Sequence, residues 1–441
     1  MPKSTLQLAF LWSLTSIGLT NAFTQSTASA TRQSALQAIP SWEELSSMPN
    51  FSYEQPYAIN GNTSSSKPSI RDGKPILYRE RHGWCPYSER VWFAFEVKKV
   101  DYDTVYIDNI YGRPSWYGGN TPQVMWGDGK TQSESMDLVR EVDKRFEGIE
   151  LYPDDILNEV INKARAFDNV FPRGARPSSR AAFLFRYDGE PLWKNEFEKV
   201  LRETDELLGS NEGPFFCGDR FTAADIAWAP FLERYAGQLP VLHDGLNPKC
   251  AETYPYLARW YEAMEQQIPE YGCRIRGDSS SWRKVLTMAG FGNAGNVPPL
   301  VSSRMKEESE REKNPLTEEE KVIQTAIWGT YSADRPYVAE SASKEAASVL
   351  IRNREMIVKD IEKRRDMKTN TYDLPVGQEL DESLRCLASI LCEDEFESSL
   401  AECRQNAHVA EIAAFLDERM CVPRDMGALS AAYFKRVQHK I

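Results

Sequence analysis

The order of apolar segments over residues 74–150 is the feature that most constrains what this chain can fold into. Two stretches rich in Val, Ile, Leu and Tyr flank a stretch whose apolar residues recur at helical spacing. Two short apolar stretches then flank the turn Gly127-Asp128-Gly129, and a second helical repeat follows. The predicted strands are 75–78, 102–107, 123–126 and a brief one after 129, and the predicted helices are 88–99 and 133–146. The order β-α-β followed by β-β-α predicts an α+β domain over residues 74–150.

The rest of the folded chain is predicted to be helical and to form two further parts. Residues 151–290 repeat apolar positions at helical spacing and predict an all-α domain, and residues 336–441 predict an additional helical module. Between them, residues 291–335 combine a Gly- and Pro-rich loop with a mixed-charge run over 303–321 that is typical of a solvated helix or a linker, and we assign the whole stretch as a linker. Within the all-α domain, Thr222 and Asp225 have the spacing of a capping box, and we interpret this pair as structural.

The first 73 residues are predicted to contain targeting sequence and a linker. A lysine followed by an apolar run and a small-residue exit is typical of a signal peptide, here residues 1–22. Residues 23–42 are rich in Ser, Thr, Ala and Gln and contain no acidic residue, which is the composition of a transit peptide. The pair resembles the two-part address of algae with complex plastids and predicts a plastid location, with secretion as the alternative. Residues 43–73 are polar and predict a linker.

Net charge and cysteine usage exclude several classes of function. The formal charge of −12 argues against a general nucleic-acid binder, which needs a basic face. The eight cysteines form no CxxC pair and no zinc spacing with the four histidines, so no metal site is predicted. A disulfide scaffold is also not expected at this cysteine density.

Cys85 is the predicted reactive residue, because it follows the first predicted strand and precedes a helix. Backbone amides at a helix start carry partial positive charge, which favours a thiolate over a thiol. Pro86 suits the first helical turn, where its missing N–H would have had no partner. The neighbouring Arg81, His82 and Arg90 are expected to add positive potential. A thiolate at this position would be nucleophilic at neutral pH.

Ser88 stands where a second cysteine would complete a CxxC motif. In a CxxC site the second thiol attacks the first and resolves its mixed disulfide. Cys85 lacks such a partner, so an external thiol must finish the cycle, and glutathione is the obvious candidate.

Two dipeptides further along the chain fit a site around Cys85. Thr121-Pro122 directly precedes the third predicted strand, where a cis proline would aim the backbone of Thr121 at the cysteine; a trans proline at a strand start is the alternative. Glu134-Ser135 opens the following helix, where backbone amides and a hydroxyl could hold a carboxylate, or the pair could serve only as a cap.

Together these residues resemble the cytosolic-type glutathione transferase superfamily. Cys85-Pro86-Tyr87-Ser88 is similar to the active-site tetrapeptide of its cysteine-containing omega, lambda and dehydroascorbate reductase classes. The resemblance covers about residues 74–282 and implies a thioredoxin-like N-terminal domain followed by an all-helical one. The stretches 83–92 and 422–426 also resemble a longer, plastid-associated branch of plants and algae.

The resemblance implies a role for each matching residue. Cys85 would be the catalytic thiol, the Thr121 backbone would pair with the cysteinyl part of glutathione, and Glu134 with Ser135 would hold its γ-glutamyl carboxylate. The residues implied to bind glutathione are Pro86, Tyr87, Thr121, Pro122, Glu134 and Ser135. The electrophile pocket would lie between the two domains, near residues 155–171.

The implied activity is that of a glutathione-dependent thiol transferase or reductase, with glutathione as co-substrate and no metal. It would act through a Cys85–glutathione mixed disulfide, in deglutathionylation or dehydroascorbate-type reduction. Conjugation of glutathione to electrophiles is one alternative, and a non-enzymatic binding or assembly role of the C-terminal module is another. The expected partners are a small electrophile, an oxidised small molecule or a glutathionylated thiol. A homodimer or a protein bound through the C-terminal module is a further expectation, whereas nucleic acid and stable membrane insertion are not expected.

Overall fold

The computed structural model of the chain describes residues 39–48, 58–61, 64–109, 112–171, 194–290, 297–312, 317–366, 372–393 and 401–440. The predicted signal peptide and most of the transit-like segment lie outside the described residues. Residues 39–441 belong to one folded unit.

A five-stranded mixed sheet forms the first domain. Its strands are β1 (Ala58–Asn60), β2 (Ile76–Glu80), β3 (Asp103–Ile107), β4 (Gln123–Met125) and β5 (Thr131–Ser133). They lie in the order β1-β3-β2-β4-β5, with β1 and β2 parallel to β3 and with β4 antiparallel to both β2 and β5. Helix α2 (Pro86–Val97) connects β2 to β3, and α3 (Ser135–Arg145) follows the β4–β5 hairpin. The predicted α+β, thioredoxin-like order is therefore confirmed.

The two faces of this sheet pack against different parts of the chain. Leu77 and Val124 lie in the main core with the apolar side chains of α2 and α3. Tyr78 and Met125 belong to a second cluster, which Tyr117 of the irregular segment 112–120 completes. This segment therefore lies over the sheet next to the strand that leads to Cys85.

The second domain is all-α, as predicted. Its helices are α4 (Leu157–Val170), α5 (Lys194–Gly209), α6 (Ala223–Leu242), α7 (Pro255–Gln267) and α8 (Ser279–Val285), with π-helical turns at Tyr271–Ile275 and Leu286–Gly290. Helix α6 is buried on nearly all sides, so it forms the centre of the domain. The predicted capping box is present at its start, where the Thr222 hydroxyl accepts from Ala224 N at 3.3 Å and the Asp225 carboxylate accepts from Thr222 N at 3.0 Å.

The C-terminal part adds helices that build their own core. They are α9 (Pro299–Arg311), α10 (Glu318–Ser332), α11 (Ala342–Asp366), α12 (Gly377–Cys392), α13 (Ala401–Gln405), α14 (Val409–Arg419) and α15 (Ala428–Lys440). The predicted linker over residues 291–335 is wrong for α9 and α10. Val301 is fully buried against the second domain, and Trp328 and Tyr331 are buried at the start of the module. These few apolar side chains hold α9 and α10 in the fold, although α9 and the first turn of α10 are rich in charged residues.

The predicted linker over residues 43–73 is wrong in two places, because it contains most of helix α1 (Trp42–Ser47) and the edge strand β1. The α1 side chain of Leu45 is fully buried in the core of the C-terminal module, and Trp42 Nε1 donates to Asp381 at 2.8 Å. Arg385 also donates to the carbonyl oxygens of Ile39 and Pro40, at 3.2 and 3.1 Å. Residues 39–42, which were predicted as the end of the transit-like segment, therefore belong to the folded unit.

The C-terminal module is not separate from the rest of the molecule. Cys273, in a π-helical turn of the second domain, shares a buried cluster with Trp328 and Leu429 of the module. Within the described part of the chain, no helix combines the length and the hydrophobicity needed to cross a bilayer.

Candidate active site at Cys85

Cys85 immediately precedes α2 and points its thiol at Thr121. Pro86 is the first residue of the helix, and the Cys85 backbone is extended. The Cys85 sulfur donates a weak hydrogen bond to the Thr121 carbonyl oxygen at 3.8 Å, and the side chain is partly exposed. The first N–H groups of a helix have no intrahelical partner, so the start of α2 presents partial positive charge beside the sulfur.

Thr121 is held in place by its own neighbours. The Thr121–Pro122 peptide bond is cis, and both residues are buried. Asn109, just beyond β3, donates from Nδ2 to Thr121 Oγ1 at 3.0 Å. The buried Asn109 Oδ1 has no hydrogen-bond partner among the described residues. Sequence reasoning missed Asn109, although its position at the C-terminal end of a strand parallel to β2 was a usable signal.

Sheet register brings Glu134 and Ser135 to the same edge. Gln123 pairs with Ser133 in the β4–β5 ladder, so the residues just beyond that pair, Pro122 and Glu134, lie side by side. Glu134 has a φ of 72°, a left-handed conformation that is strained for a residue with a side chain. Its side chain is exposed, and Ser135 is buried as the first residue of α3. The first turn of α3 therefore opens beside the Thr121–Pro122 segment.

Tyr87 is the second residue of α2. Its ring packs edge-on against Phe231 of α6, with the centroids 5.6 Å apart. The Arg90 guanidinium lies 5.4 Å from the centre of the Tyr87 ring. The Tyr87 ring therefore packs toward the helical domain.

The Arg81, His82 and Arg90 side chains, which the sequence suggested as sources of positive potential near Cys85, each contact another group. Their partners are the Asp108 carboxylate for Arg81 (2.7 Å), the Glu80 carboxylate for His82 (2.6 Å) and the Ala227 carbonyl for Arg90 (2.5 and 2.9 Å). The aromatic residues of α4 likewise do not line an open pocket, because Phe167 and Phe171 are buried in the core.

Tyr117 adds a hydroxyl to the surroundings of Cys85. Burial raises the pKa of Tyr117, and the nearby Cys85 sulfur raises it further. The Tyr117 hydroxyl donates to the Asn120 carbonyl at 3.1 Å. Tyr117 lies in the irregular segment 112–120, and nothing in the sequence pattern of that segment identified it as a candidate site residue.

A carboxylate at the end of β2 organises the loop that leads to Cys85. Glu80 accepts from the backbone N–H groups of His82 at 2.7 Å and Trp84 at 2.8 Å. The His82 and Trp84 rings stack with their centroids 4.7 Å apart. Residues 81–84 are therefore fixed by one side chain, which limits the freedom of the Cys85 backbone.

Arg234 of α6 fixes the same loop from the other side. Its side chain is fully buried and donates to the carbonyl oxygen of Trp84 at 3.2 Å and to the Glu89 carboxylate at 2.8 Å. It also donates to Glu233 at 3.1 Å and lies 3.9 Å from the centre of the Trp282 ring. A buried cation thus connects the Cys85 loop, α2 and the helical domain.

Glu233 and Glu89 both contact the guanidinium of Arg234 in this buried cluster. Burial raises the pKa of Glu233 well above its ordinary value, and the charge and hydrogen bond of Glu89 raise it further. Burial and the neighbouring Glu89 thus both favour the protonated form of Glu233, next to the single positive charge of Arg234.

A partly open cavity of about 60 Å³ lies where the first domain, the second domain and the C-terminal module meet, lined by residues that include Arg79, Glu96, Arg274 and Glu345. Its volume suits a few water molecules and is too small for a tripeptide. The lining does not include Cys85. The described residues contain no group of three or more His, Cys, Asp or Glu side chains arranged to hold a metal ion.

Comparison with known proteins gives a consistent result. Residues 84–145 match the glutathione S-transferase N-terminal domain family, and residues 164–263 match the glutathione S-transferase C-terminal domain family. Glutathione S-transferase L2, chloroplastic, from Arabidopsis thaliana is 29% identical over 46% of this chain and 67% of that protein. Glutathione S-transferase L3 from the same plant is 27% identical over 49% of this chain and 89% of that protein. Glutathione S-transferase DHAR2, also from Arabidopsis thaliana, is 27% identical over 34% of this chain and 66% of that protein.

Among solved structures, glutathione transferase Omega 3C from Trametes versicolor is 18% identical over 55% of this chain and 94% of that chain, with a TM-score of 0.37. The family assignment rests on the sequence matches and not on that low score. The βαβ-ββα domain, the all-α domain, the capping box and both family matches agree, and the chain belongs to the glutathione S-transferase superfamily of enzymes, to its lambda and dehydroascorbate reductase-like type.

Proposed function

We propose that this protein is a monothiol, glutathione-dependent thiol transferase or reductase with Cys85 as its catalytic residue. The observation that carries the proposal is a partly exposed thiol at the start of α2, with a buried serine in the resolving position. The Ser88 hydroxyl has no hydrogen-bond partner among the described residues, and a hydroxyl cannot resolve a disulfide as a thiol does. Among the other cysteines, burial raises the pKa of Cys217 to about 11 and that of Cys392 to about 12, so these thiols are poor nucleophiles.

The proposed reaction is a pair of thiol–disulfide exchanges. The Cys85 thiolate attacks the glutathione sulfur of a mixed disulfide, so the original S–S bond breaks and a Cys85–glutathione bond forms. The other thiol leaves as a thiolate and takes a proton from solvent. A free glutathione thiolate then attacks the glutathionyl sulfur on Cys85, which yields glutathione disulfide and regenerates the Cys85 thiolate. In the net reaction the incoming glutathione thiol is oxidised, the substrate sulfur is released as a reduced thiol, and the first glutathione sulfur stays at the disulfide level throughout.

Glutathione is proposed to bind along the edge formed by β4 and the first turn of α3. The Thr121 backbone would pair with the cysteinyl part of glutathione, and the α3 amides with Glu134 and Ser135 would hold the γ-glutamyl carboxylate. The proposal is supported by the position of the Thr121 carbonyl 3.8 Å from the Cys85 sulfur, by the strained backbone of Glu134 and by the unsatisfied Asn109 Oδ1, which suits a donor.

The test is covalent labelling by oxidised glutathione, read by intact mass. The wild-type protein should gain one glutathione adduct, and Cys85→Ser should gain none. Cys250→Ser is the matched control, because Cys250 is the other partly exposed cysteine among the described residues, and this variant should still gain the adduct. A wild-type protein that gains no adduct would rule out the monothiol cycle. A mixed disulfide, dehydroascorbate and a chloro-aromatic electrophile would then rank reduction against conjugation.

We also propose that the protein acts in a plastid. The leader composition supports this, as does one relative whose name includes "chloroplastic". A fluorescent fusion of residues 1–60 should reach the plastid, and its secretion would refute the proposal.

A further inference from the structure

A segment of the C-terminal module touches the active-site loop. A Cβ atom built on Gly83 would lie 3.4 Å from the Cβ atom of Arg424 and 3.7 Å from its Cα and N atoms. These are ordinary van der Waals distances, so the Arg424 backbone lies directly against Gly83. Gly83 stands two residues before Cys85, and residue 424 lies outside both matched transferase domains.

This segment, residues 421–427, is fixed firmly to the helical domain. Val422 N donates to Ser281 Oγ at 2.8 Å, and Lys284 Nζ donates to two backbone carbonyls at the end of α14, at 2.7 and 2.9 Å. At Gly427 an added Cβ would lie 1.5 Å from the Cys273 carbonyl oxygen, so the two backbones are in close contact there. The position of Arg424 next to the loop is therefore set by the fold and not by a free surface chain.

The Arg424 guanidinium is held in one orientation. Its Nε and Nη2 atoms donate to the two carboxylate oxygens of Asp425, each at 2.7 Å. Asp425 in turn accepts from Cys421 N at 2.9 Å. A two-point Arg–carboxylate contact fixes the plane of the guanidinium, and its Nη1 atom has no partner among the described residues. The side chain is 30% exposed, so a ligand can reach it.

Among the described residues, the nearby Glu80 carboxylate does not accept a hydrogen bond from the Nη1 atom of Arg424. Burial alone would lower the pKa of Arg424, but the hydrogen bonds and charge of Asp425 and the charge of Glu80 raise it, so the guanidinium stays charged. Glu80 already accepts from two backbone N–H groups and the His82 ring. The Nη1 atom of Arg424 is thus the donor that can bind an anion.

The position of the loop indicates which substrate Arg424 would meet. Thr121 occupies one side of Cys85, where glutathione is proposed to bind. The carbonyl oxygens of Gly83 and Trp84 instead face Arg234 of the helical domain, at 3.5 and 3.2 Å. Arg424 lies against Gly83 of this same loop.

We infer that residues 421–427 form one wall of the second-substrate site and that Arg424 selects acceptors carrying a carboxylate. The inference rests on the proposed function, because the acceptor is the half of the mixed disulfide that Cys85 releases. The segment gives the C-terminal module a direct role in the specificity of the transferase site.

The test uses two mixed disulfides of glutathione that differ only in charge. One carries mercaptopropionate and the other mercaptopropionamide as the released thiol. The wild-type enzyme should prefer the carboxylate, and Arg424→Gln should lose about tenfold in kcat/KM on the carboxylate alone, because a hydrogen bond to a charged group is lost. Arg424→Lys, which keeps the charge, should retain part of the preference.

Arg419→Gln is the matched control, because it removes the same charge from the same module. Arg419, at the end of α14, pairs with Asp360 of α11 at 2.9 Å. Its replacement should leave the preference for the carboxylate unchanged. Equal activity losses on both substrates in Arg424→Gln would overturn the inference, as would an unchanged preference. A Cys85 adduct formed at the wild-type rate shows that the variant has kept the thiol site intact. If the wild-type enzyme turns over neither mixed disulfide, the proposed function itself fails and the specificity inference falls with it.

Discussion

Replacing Arg234 by methionine tests whether one buried cation holds the Cys85 loop, α2 and the helical domain together. Methionine has a similar length but no donors, so Glu89 loses its only charged partner shown by the described residues. The carbonyl oxygen of Trp84 loses a donor in the same change. The fold should therefore lose stability, and the Cys85 loop should become more mobile.

The cost follows from the burial of the ion pair. The Arg234 and Glu89 side chains are 0% and 2% exposed, so solvent screens their interaction little. Removing one partner of a buried pair costs about 3–5 kcal/mol, because the other charge remains buried without compensation. Because Arg234→Met leaves the buried Glu89 carboxylate without this partner, we expect a loss of about 4 kcal/mol.

Urea unfolding followed by far-UV circular dichroism and tryptophan fluorescence measures this loss. The double variant Glu89→Gln/Arg234→Met should recover about 2 kcal/mol or more, because it removes the orphaned charge. Arg220→Met is the matched control, since the Arg220–Asp155 pair is 42% and 67% exposed and should matter by less than about 1 kcal/mol. A loss below about 1 kcal/mol for Arg234→Met, or a double variant no more stable than the single one, would refute this account of the cluster.

Three further predictions concern stability and processing. Burial raises the pKa of Asp225 to about 6, above its unfolded value of about 3.9. The contribution of protonated Asp225 to the free energy of unfolding is therefore complete below about pH 4, and about 3 kcal/mol of it is lost as the pH rises through 6. Asp225→Asn cannot ionise and should remove this part of the pH dependence in urea titrations between about pH 4 and 7. Gly427→Ala should cost about 3 kcal/mol through overlap with a backbone carbonyl, whereas Gly329→Ala, in open space within α10, should stabilise the fold by roughly 0.5–1 kcal/mol, and thermal melts should rank them in that order. Because α1 packs against the C-terminal module, Trp42→Ala should lower the melting temperature. For the same reason the mature protein isolated from cells should begin no later than Ile39, as measured by intact mass. A mature chain that begins after Trp42 would contradict this.

Local patterns in the sequence determined the first domain and the identity of its reactive residue. Strand and helix periods depend on neighbouring residues, so the β-α-β and β-β-α order could be predicted from them. The Cys85-Pro86 step between strand and helix, and the Thr222–Asp225 capping box, are likewise signals confined to a few residues. Each of these features has a physical cause that acts within one or two turns of the chain.

The segments predicted as linkers show where local sequence patterns fail to predict the structure. Helix α10 is charged over its first turn, but Trp328 and Tyr331 bury it against the module. Helix α1 has six residues, too few for a periodic signal, and it is held by Leu45 in a core that lies near the other end of the chain. In both cases tertiary packing, and not local propensity, forms the helix.

The surroundings of Cys85 were decided by contacts between distant parts of the sequence. The sequence suggested Arg81 and Arg90 as cations near the thiol, but the fold pairs the first with Asp108 and directs the second to the Ala227 carbonyl. It brings Arg234 and Arg424 to the loop instead. Which charges meet depends on how the helical domain and the C-terminal module orient against the sheet, and residue spacing along the chain does not encode that orientation. The sequence by itself therefore determined the thiol and its helix, whereas only the tertiary structure decided which side chains surround them.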